Sequence, residues 1–172
     1  ARMGIAQDAA APPRVGICES AAFFIYDGIR PAAPGYALEN ARAVTAYCRS
    51  RKSAAEIALM QRVMDMTLAV HVATASMLVE GITTVEVEEF IQRAHRKVGA
   101  PRSYFCIVLF GEATAYPHGV NYVQTLKAGD TVLIDTGCQV MNYISDITRT
   151  YAFGAISARQ RSVWNSEKAA QA

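Results

Sequence analysis

Two aspartates that lie eleven residues apart, each in a run typical of a β-strand, limit the fold of this chain more than any other feature. Residues 131–134 are largely apolar and lead directly into Asp135. Residues 146–151 alternate polar and bulky side chains, which places Asp146 and Thr148 on the same face of a strand. The pattern therefore predicts two strands that each carry a carboxylate.

If these two strands pair as an antiparallel hairpin, the hairpin midpoint falls between Val140 and Met141. Asp135 and Asp146 then stand directly opposite each other on one face. Two unpaired carboxylates at that separation repel each other, and a bound cation compensates for the repulsion. The sequence thus predicts a metal site built on a rigid sheet.

Two capping boxes mark the starts of two helices ahead of these strands. Ser53 with Glu56 opens the first helix, and Thr83 with Glu86 opens the second. Apolar residues at helical spacing predict one buried face for the first helix, formed by Ile57, Met60, Met64, Leu68, Val72, Ala75 and Val79. The same spacing predicts a buried face for the second helix, formed by Val87, Phe90, Ile91, Ala94 and Val98.

The period of the sequence changes after Pro101. Residues 104–110 are predicted to form a buried strand, and residues 126–130 a turn into the Asp135 strand. Ser157 and Gln160 cap a last helix. Two helices, an antiparallel sheet and a further helix make an α+β fold.

The first part of the chain has a different character. Residues 14–18 and 43–47 are interpreted as strands, and residues 21–29 as a helix between them. This region is expected to be the tail of a smaller α/β domain.

Composition excludes several classes of function. Apolar residues make up 52% of the chain and the formal net charge is +2, so neither nucleic acid nor an acidic membrane surface is an expected partner. The longest apolar run, residues 104–110, is too short to span a bilayer. The four cysteines lack C-x-x-C spacing and are interpreted as reduced thiols, which favours a cytoplasmic location.

His118 is the histidine best placed for chemistry. It stands between Pro117, which fixes one backbone dihedral, and Gly119, which permits unusual geometry. A loop histidine of this kind could exchange protons with a substrate near neutral pH. An exposed loop histidine without a catalytic role is the alternative.

Taken together, these motifs resemble the Xaa-Pro peptidases, Xaa-Pro dipeptidase and aminopeptidase P, of the pita-bread metallopeptidase superfamily. The resemblance is carried by Pro117-His118-Gly119, by residues 126–137, by residues 145–150 and by the two capping boxes. It implies that residues 46–172 are the first part of a pita-bread catalytic domain. It also implies that residues 1–45 are the tail of a creatinase-like N-terminal domain. Asn142 departs from the family, which often has glycine at this position before the tyrosine.

The resemblance implies a cytoplasmic, homodimeric exopeptidase that removes an N-terminal residue preceding proline from peptides. Asp135 would bind one of two divalent ions and Asp146 would bridge both, with Mn²⁺ first and Co²⁺ or Zn²⁺ as alternatives. These ions would activate a water molecule for the hydrolysis. His118 would contact substrate and move protons, and Thr148 would steady a carboxylate by donating a hydrogen bond.

The family also uses a histidine and two glutamates from later in the chain, and these have no counterpart in the 172 residues. His71 and His95 are interpreted as structural or surface residues, and Glu86, Glu88 and Glu89 as a solvated helix start. Residues 1–172 alone are therefore expected to be inactive. A pita-bread module that binds peptides without cutting them is the alternative function. The aspartate pair argues against creatinase, and the Asp-Ile-Thr-Arg-Thr string argues against methionine aminopeptidase.

Overall fold

A computed structural model describes residues 11–171, and the chain divides into two compact units between residues 54 and 55. The sequence predicted a domain boundary between residues 45 and 46. The assignment of the first unit to the tail of a smaller domain stays a prediction.

The first unit is a β-α-β arrangement followed by a helix. Its elements are β1 (Arg14–Ile17), α1 (Phe23–Ala32), β2 (Ala37–Asn40) and α2 (Arg42–Ser50). β1 and β2 pair in parallel, as the crossover through α1 requires.

The prediction of a strand at residues 43–47 was wrong, because these residues lie within helix α2. The Asn40 side chain accepts a hydrogen bond from the Arg42 backbone N–H and so satisfies an amide at the start of that helix. Thr45 bonds back to the Ala41 carbonyl with its hydroxyl, a local contact typical of helices.

The second unit confirms the predicted α+β order of two helices, an antiparallel sheet and a last helix. Its elements are α3 (Ala54–Met77), α4 (Thr84–Lys97), β3 (Ser103–Phe110), β4 (Thr131–Val140), β5 (Tyr143–Ile144), β6 (Ile147–Ala152) and α5 (Ala158–Gln171), with a short 3₁₀ helix at Gly111–Ala115.

Local sequence explains where these helices begin. The Thr83 hydroxyl accepts from the Glu86 N–H while the Glu86 carboxylate accepts from the Thr83 N–H, as the capping box predicted. Ser157 and Gln160 make the equivalent exchange before α5. α3 begins at Ala54, directly after Ser53.

Strand β4 is the centre of the sheet. It pairs with β3 along one edge and with β5 and β6 along the other, in antiparallel fashion throughout. Alternate residues of the strands face the helices and form a core with them, made of Val70, Val87, Ile91, Val108, Phe110, Leu126, Val132 and Ile134. The other face of the sheet carries Asp135, its β3 partner Ile107 and its β6 partner Thr148.

The buried face predicted for α3 was wrong. Ile57 is 57% exposed and Val72 is 70% exposed. The buried residues of this helix are instead Val63, Met66, Thr67, Val70, His71 and Thr74. Apolar residues occur on several faces of α3, so spacing alone does not select one face. The face that packs inward includes three polar residues.

The buried face of α4 includes Val87 and Ile91 as predicted, with Ala94 and Val98 packed against the same core. None of the described helices is both long enough and apolar enough to cross a membrane.

Candidate active site

Asp135 and Thr148 are direct partners across strands β4 and β6. The Thr148 hydroxyl donates a hydrogen bond to Asp135 Oδ1 at 2.8 Å. Asp135 is half-buried and Thr148 is exposed. The carboxylate is therefore held in one orientation while its face of the sheet stays open.

The prediction that Asp135 lies directly opposite Asp146 was wrong by two residues. The hairpin turns at Met141 and Asn142, whose φ angles are 49° and 68°, and not between Val140 and Met141. Two central residues with positive φ form the tight turn that suits the twist of a hairpin, and asparagine tolerates that conformation well. Moving the turn centre by one residue changes each strand partner by two. In an uninterrupted hairpin of this register the two aspartates would be diagonal neighbours on one face.

Asp146 lies between β5 and β6 and is exposed. Its neighbour Ser145 is completely buried and its carbonyl lies over Gly137. A Cβ atom at position 137 would come within 1.7 Å of the Ser145 oxygen, so only glycine leaves room for the chain there. This close approach lets residue 145 turn inward and residue 146 outward.

His118 lies on an exposed loop whose next residue, Gly119, comes close to Ile107 of strand β3. A Cβ atom on Gly119 would stand 4.0 Å from Ile107 Cγ2, and Ile107 pairs directly with Asp135 in the sheet. His118 and Ile107 line an open cavity together with Glu88 from α4, whose carboxyl pKa is raised by burial. The Gly119 contact places this loop beside the β3 partner of Asp135, and the position of His118 relative to the two aspartates and its catalytic role stay predictions.

The carboxylate oxygens of Asp135 and Asp146 are the type of ligand atom that hard divalent cations prefer, Mn²⁺ and similar ions among them. Within residues 11–171, however, no group of three or more histidine, cysteine, aspartate or glutamate side chains could hold a metal ion. The described residues therefore supply only part of a coordination shell.

Sequence reasoning missed the polar residues of α3 that contact the chain on either side of Asp146. Thr67 and His71 were not singled out as site residues, yet Thr67 Oγ1 lies 2.7 Å from Ser145 Oγ. His71 Nε2 lies 2.9 Å from the Ile147 carbonyl oxygen. Polar residues within an apolar helix were the available signal.

Neither buried histidine faces the aspartate surface. His71 and His95 are 3% and 0% exposed, so neither is a surface residue. Burial lowers the pKa of His71 and lowers that of His95 to about 4, so both rings are neutral near pH 7. Glu86 is occupied in the α4 cap, as expected of a helix start.

The sequence matches the model of metallopeptidase family M24 over residues 58–172. It is 43% identical over 106 residues to the Bacillus subtilis protein named "Putative dipeptidase YkvY", a match that covers 59% of this chain and 29% of that protein. It is 34% identical over 144 residues to an uncharacterized peptidase of Schizosaccharomyces pombe, covering 83% of this chain and 32% of the relative. The chain thus spans about a third of the length of these curated relatives.

Solved structures share the fold. The Xaa-Pro dipeptidase from Bacillus anthracis superimposes with a TM-score of 0.80 at 27% identity, covering 89% of this chain and 43% of that one. Dipeptidase PepE from Mycobacterium ulcerans gives a TM-score of 0.78 at 29% identity, covering 87% and 40% of the two chains. This likeness confirms the predicted pita-bread fold class.

Proposed function

This chain belongs to metallopeptidase family M24, and on that premise we propose that the protein is a metal-dependent exopeptidase. It hydrolyses the peptide bond between an N-terminal residue and proline. The observation that supports this proposal most strongly is the hydrogen bond from Thr148 to Asp135 on a solvent-open face of the sheet, with Asp146 exposed two residues before Thr148. The likeness to the Xaa-Pro dipeptidase from Bacillus anthracis supports the choice of substrate.

In this proposal Asp135 and Asp146 hold two divalent ions, with Mn²⁺ preferred and Co²⁺ or Zn²⁺ as alternatives. When bound, the two ions supply an activated water molecule and positive charge for the developing oxyanion. Further ligands come from outside the described residues, because two carboxylates are too few for two catalytic ions.

The other residues of the face act on the ligands and on the substrate. The Thr148 hydroxyl bonds one oxygen of Asp135 and so fixes which lone pairs the carboxylate turns outward. His118 is exposed on the loop beside Ile107, where it contacts the peptide and gives or takes a proton. The open cavity that His118 and Ile107 line receives the peptide substrate.

The direct test is hydrolysis of Ala-Pro and Ala-Ala by the complete natural protein, with Mn²⁺ and after treatment with a chelator. The proposal expects turnover of Ala-Pro that requires metal, with far slower turnover of Ala-Ala. Peptide binding without hydrolysis under all these conditions would instead support the non-catalytic binding module. Equal turnover of both dipeptides would support peptidase activity but refute the specificity for proline.

A cytoplasmic location and homodimeric assembly are part of the same proposal. All four cysteines are free thiols, which suits a reducing compartment. Light scattering of the complete protein measures the assembly, and a monomeric mass would refute the dimer.

A further inference from the structure

We propose that Thr67 and His71 are positioning residues that fix Asp146 in the candidate metal site. The two lie on α3 four residues apart, so their side chains leave the same face of the helix one turn apart. They contact Ser145 and Ile147, the residues on either side of Asp146. The proposal rests on the proposed function, because it takes Asp146 to be a metal ligand.

The Thr67 contact fixes the residue before Asp146. Thr67 Oγ1 and Ser145 Oγ are 2.7 Å apart, and both residues are 0% exposed. The same serine oxygen accepts a hydrogen bond from the Cys138 N–H at 2.9 Å. The Ser145 N–H in turn donates to the Cys138 carbonyl at 3.0 Å. The bend in the chain at Ser145 is thus tied to both β4 and α3.

The His71 contact fixes the residue after Asp146. A carbonyl oxygen only accepts, so the 2.9 Å contact with Ile147 requires that His71 Nε2 carries the proton. The other ring nitrogen, Nδ1, then accepts from the Tyr151 hydroxyl at 3.0 Å. This second bond from strand β6 sets the orientation of the imidazole ring.

A second buried histidine orients the Thr67 hydroxyl. His95 Nε2 lies 3.2 Å from Thr67 Oγ1, and its Nδ1 lies 2.7 Å from Ser103 Oγ. The chain of polar contacts therefore runs from α4 through α3 to Ser145, and all of its members are buried.

Two observations connect this network with Asp146 in particular. The pairing of β4 with β5 and β6 is interrupted at residues 145 and 146, so strand pairing does not itself hold Asp146. Burying a polar side chain costs free energy of folding unless the side chain is hydrogen-bonded. Apolar residues at positions 67 and 71 would avoid that cost, so packing alone does not explain a threonine and a histidine there. The polar contacts of α3 fall on both sides of this interruption, where a metal ligand has to be held still.

The test uses the complete natural protein and compares Thr67→Val with Thr74→Val. Thr74 is the matched control, because it is equally buried on α3 but donates its hydroxyl to Val70 of the same helix. Two quantities are measured, amide hydrogen exchange across residues 143–149 without metal and the dissociation constant for Mn²⁺. Thr67→Val should accelerate the exchange about tenfold and weaken Mn²⁺ binding by about 10–100-fold. Thr67→Ser should restore both quantities, and Thr74→Val should change each less than about twofold.

His71→Leu should produce the same local loosening as Thr67→Val. Unchanged exchange and unchanged Mn²⁺ affinity in a folded Thr67→Val variant would overturn the proposal, as would equal effects of Thr74→Val. A parent protein whose Mn²⁺ affinity does not depend on Asp146 would refute the proposed function instead. Failure of the proposed function can be told apart from failure of the positioning proposal, because the hydrogen-exchange measurement does not involve the metal.

Discussion

Thr148 faces Asp135 across two antiparallel strands and donates a 2.8 Å hydrogen bond to its Oδ1 atom. The bond leaves the second carboxylate oxygen, and the remaining lone pair of the first, available to a cation. Because the hydroxyl fixes a carboxylate on an open face, we expect it to matter more for the geometry of the proposed metal ligand than for stability.

Thr148→Val removes this hydrogen bond while preserving side-chain shape. We expect the affinity of the complete protein for Mn²⁺ to fall by about 10-fold. Loss of a residue that hydrogen-bonds to a metal ligand commonly has an effect of that size. Thr150→Val, two residues along the same face of β6, is the matched control. A Mn²⁺ titration of both variants checks this, and equal affinities would show that the Thr148 bond is incidental.

Gly137→Ala is predicted to be strongly destabilising. The added Cβ would lie 1.7 Å from the Ser145 carbonyl oxygen, and the chain at Ser145 is held by buried bonds that resist displacement. We expect a loss of about 3 kcal/mol or more in the free energy of unfolding. Denaturant titration followed by circular dichroism measures this loss.

Gly28→Ala is the control for that experiment. A Cβ atom at position 28, within α1, would meet nothing within 4 Å. Alanine there should leave stability unchanged or raise it by about 0.5–1 kcal/mol, since glycine disfavours a helix interior. A Gly137→Ala protein as stable as its parent would mean that the bend at Ser145 is not as described.

Acid should destabilise the second unit through His95. Its pKa falls from an ordinary value of 6.5 to about 4, chiefly because burial disfavours the charged ring. Between these two values the unfolded chain binds more protons than the folded one. The stabilising contribution is therefore present above about pH 6.5 and is lost as the pH falls toward 4.

The loss should amount to about 1–3 kcal/mol once solvent screening is allowed for. Urea unfolding at pH 7 and pH 5 measures it. His95→Gln should reduce the difference in stability between the two pH values, and the lowered pKa of His71 accounts for what remains. A parent protein equally stable at both pH values would contradict the account of His95.

Local signals in the sequence predicted much of the fold. The helix caps at Thr83 and Ser157 were predicted correctly, because a cap depends on residues only three positions apart. Strand β3 was also predicted, from its short continuous apolar run, and the core face of α4 from its helical spacing of apolar residues.

The errors came from features that depend on distant partners. The buried face of α3 carries Thr67 and His71, which form hydrogen bonds with residues about 80 positions later in the chain. Hydrophobic spacing does not register such polar contacts, so it did not identify this face. The pairing of Asp135 with Thr148 depends on which two residues form the turn. Asn142 was the one available clue, because asparagine adopts positive φ more readily than most residues.

The central claim is that Asp135 and Asp146 hold catalytic metal, and a Mn²⁺ titration of the complete protein tests it most directly. Asp135→Asn and Asp146→Asn are compared with Asp65→Asn, which removes an equal charge from an exposed position on α3. Each of the two site variants should bind Mn²⁺ at least about 100-fold more weakly and lose Ala-Pro hydrolysis in parallel, because each removes a direct ligand. Asp65→Asn should match the parent in both measurements. Parental Mn²⁺ affinity in either site variant would contradict the account.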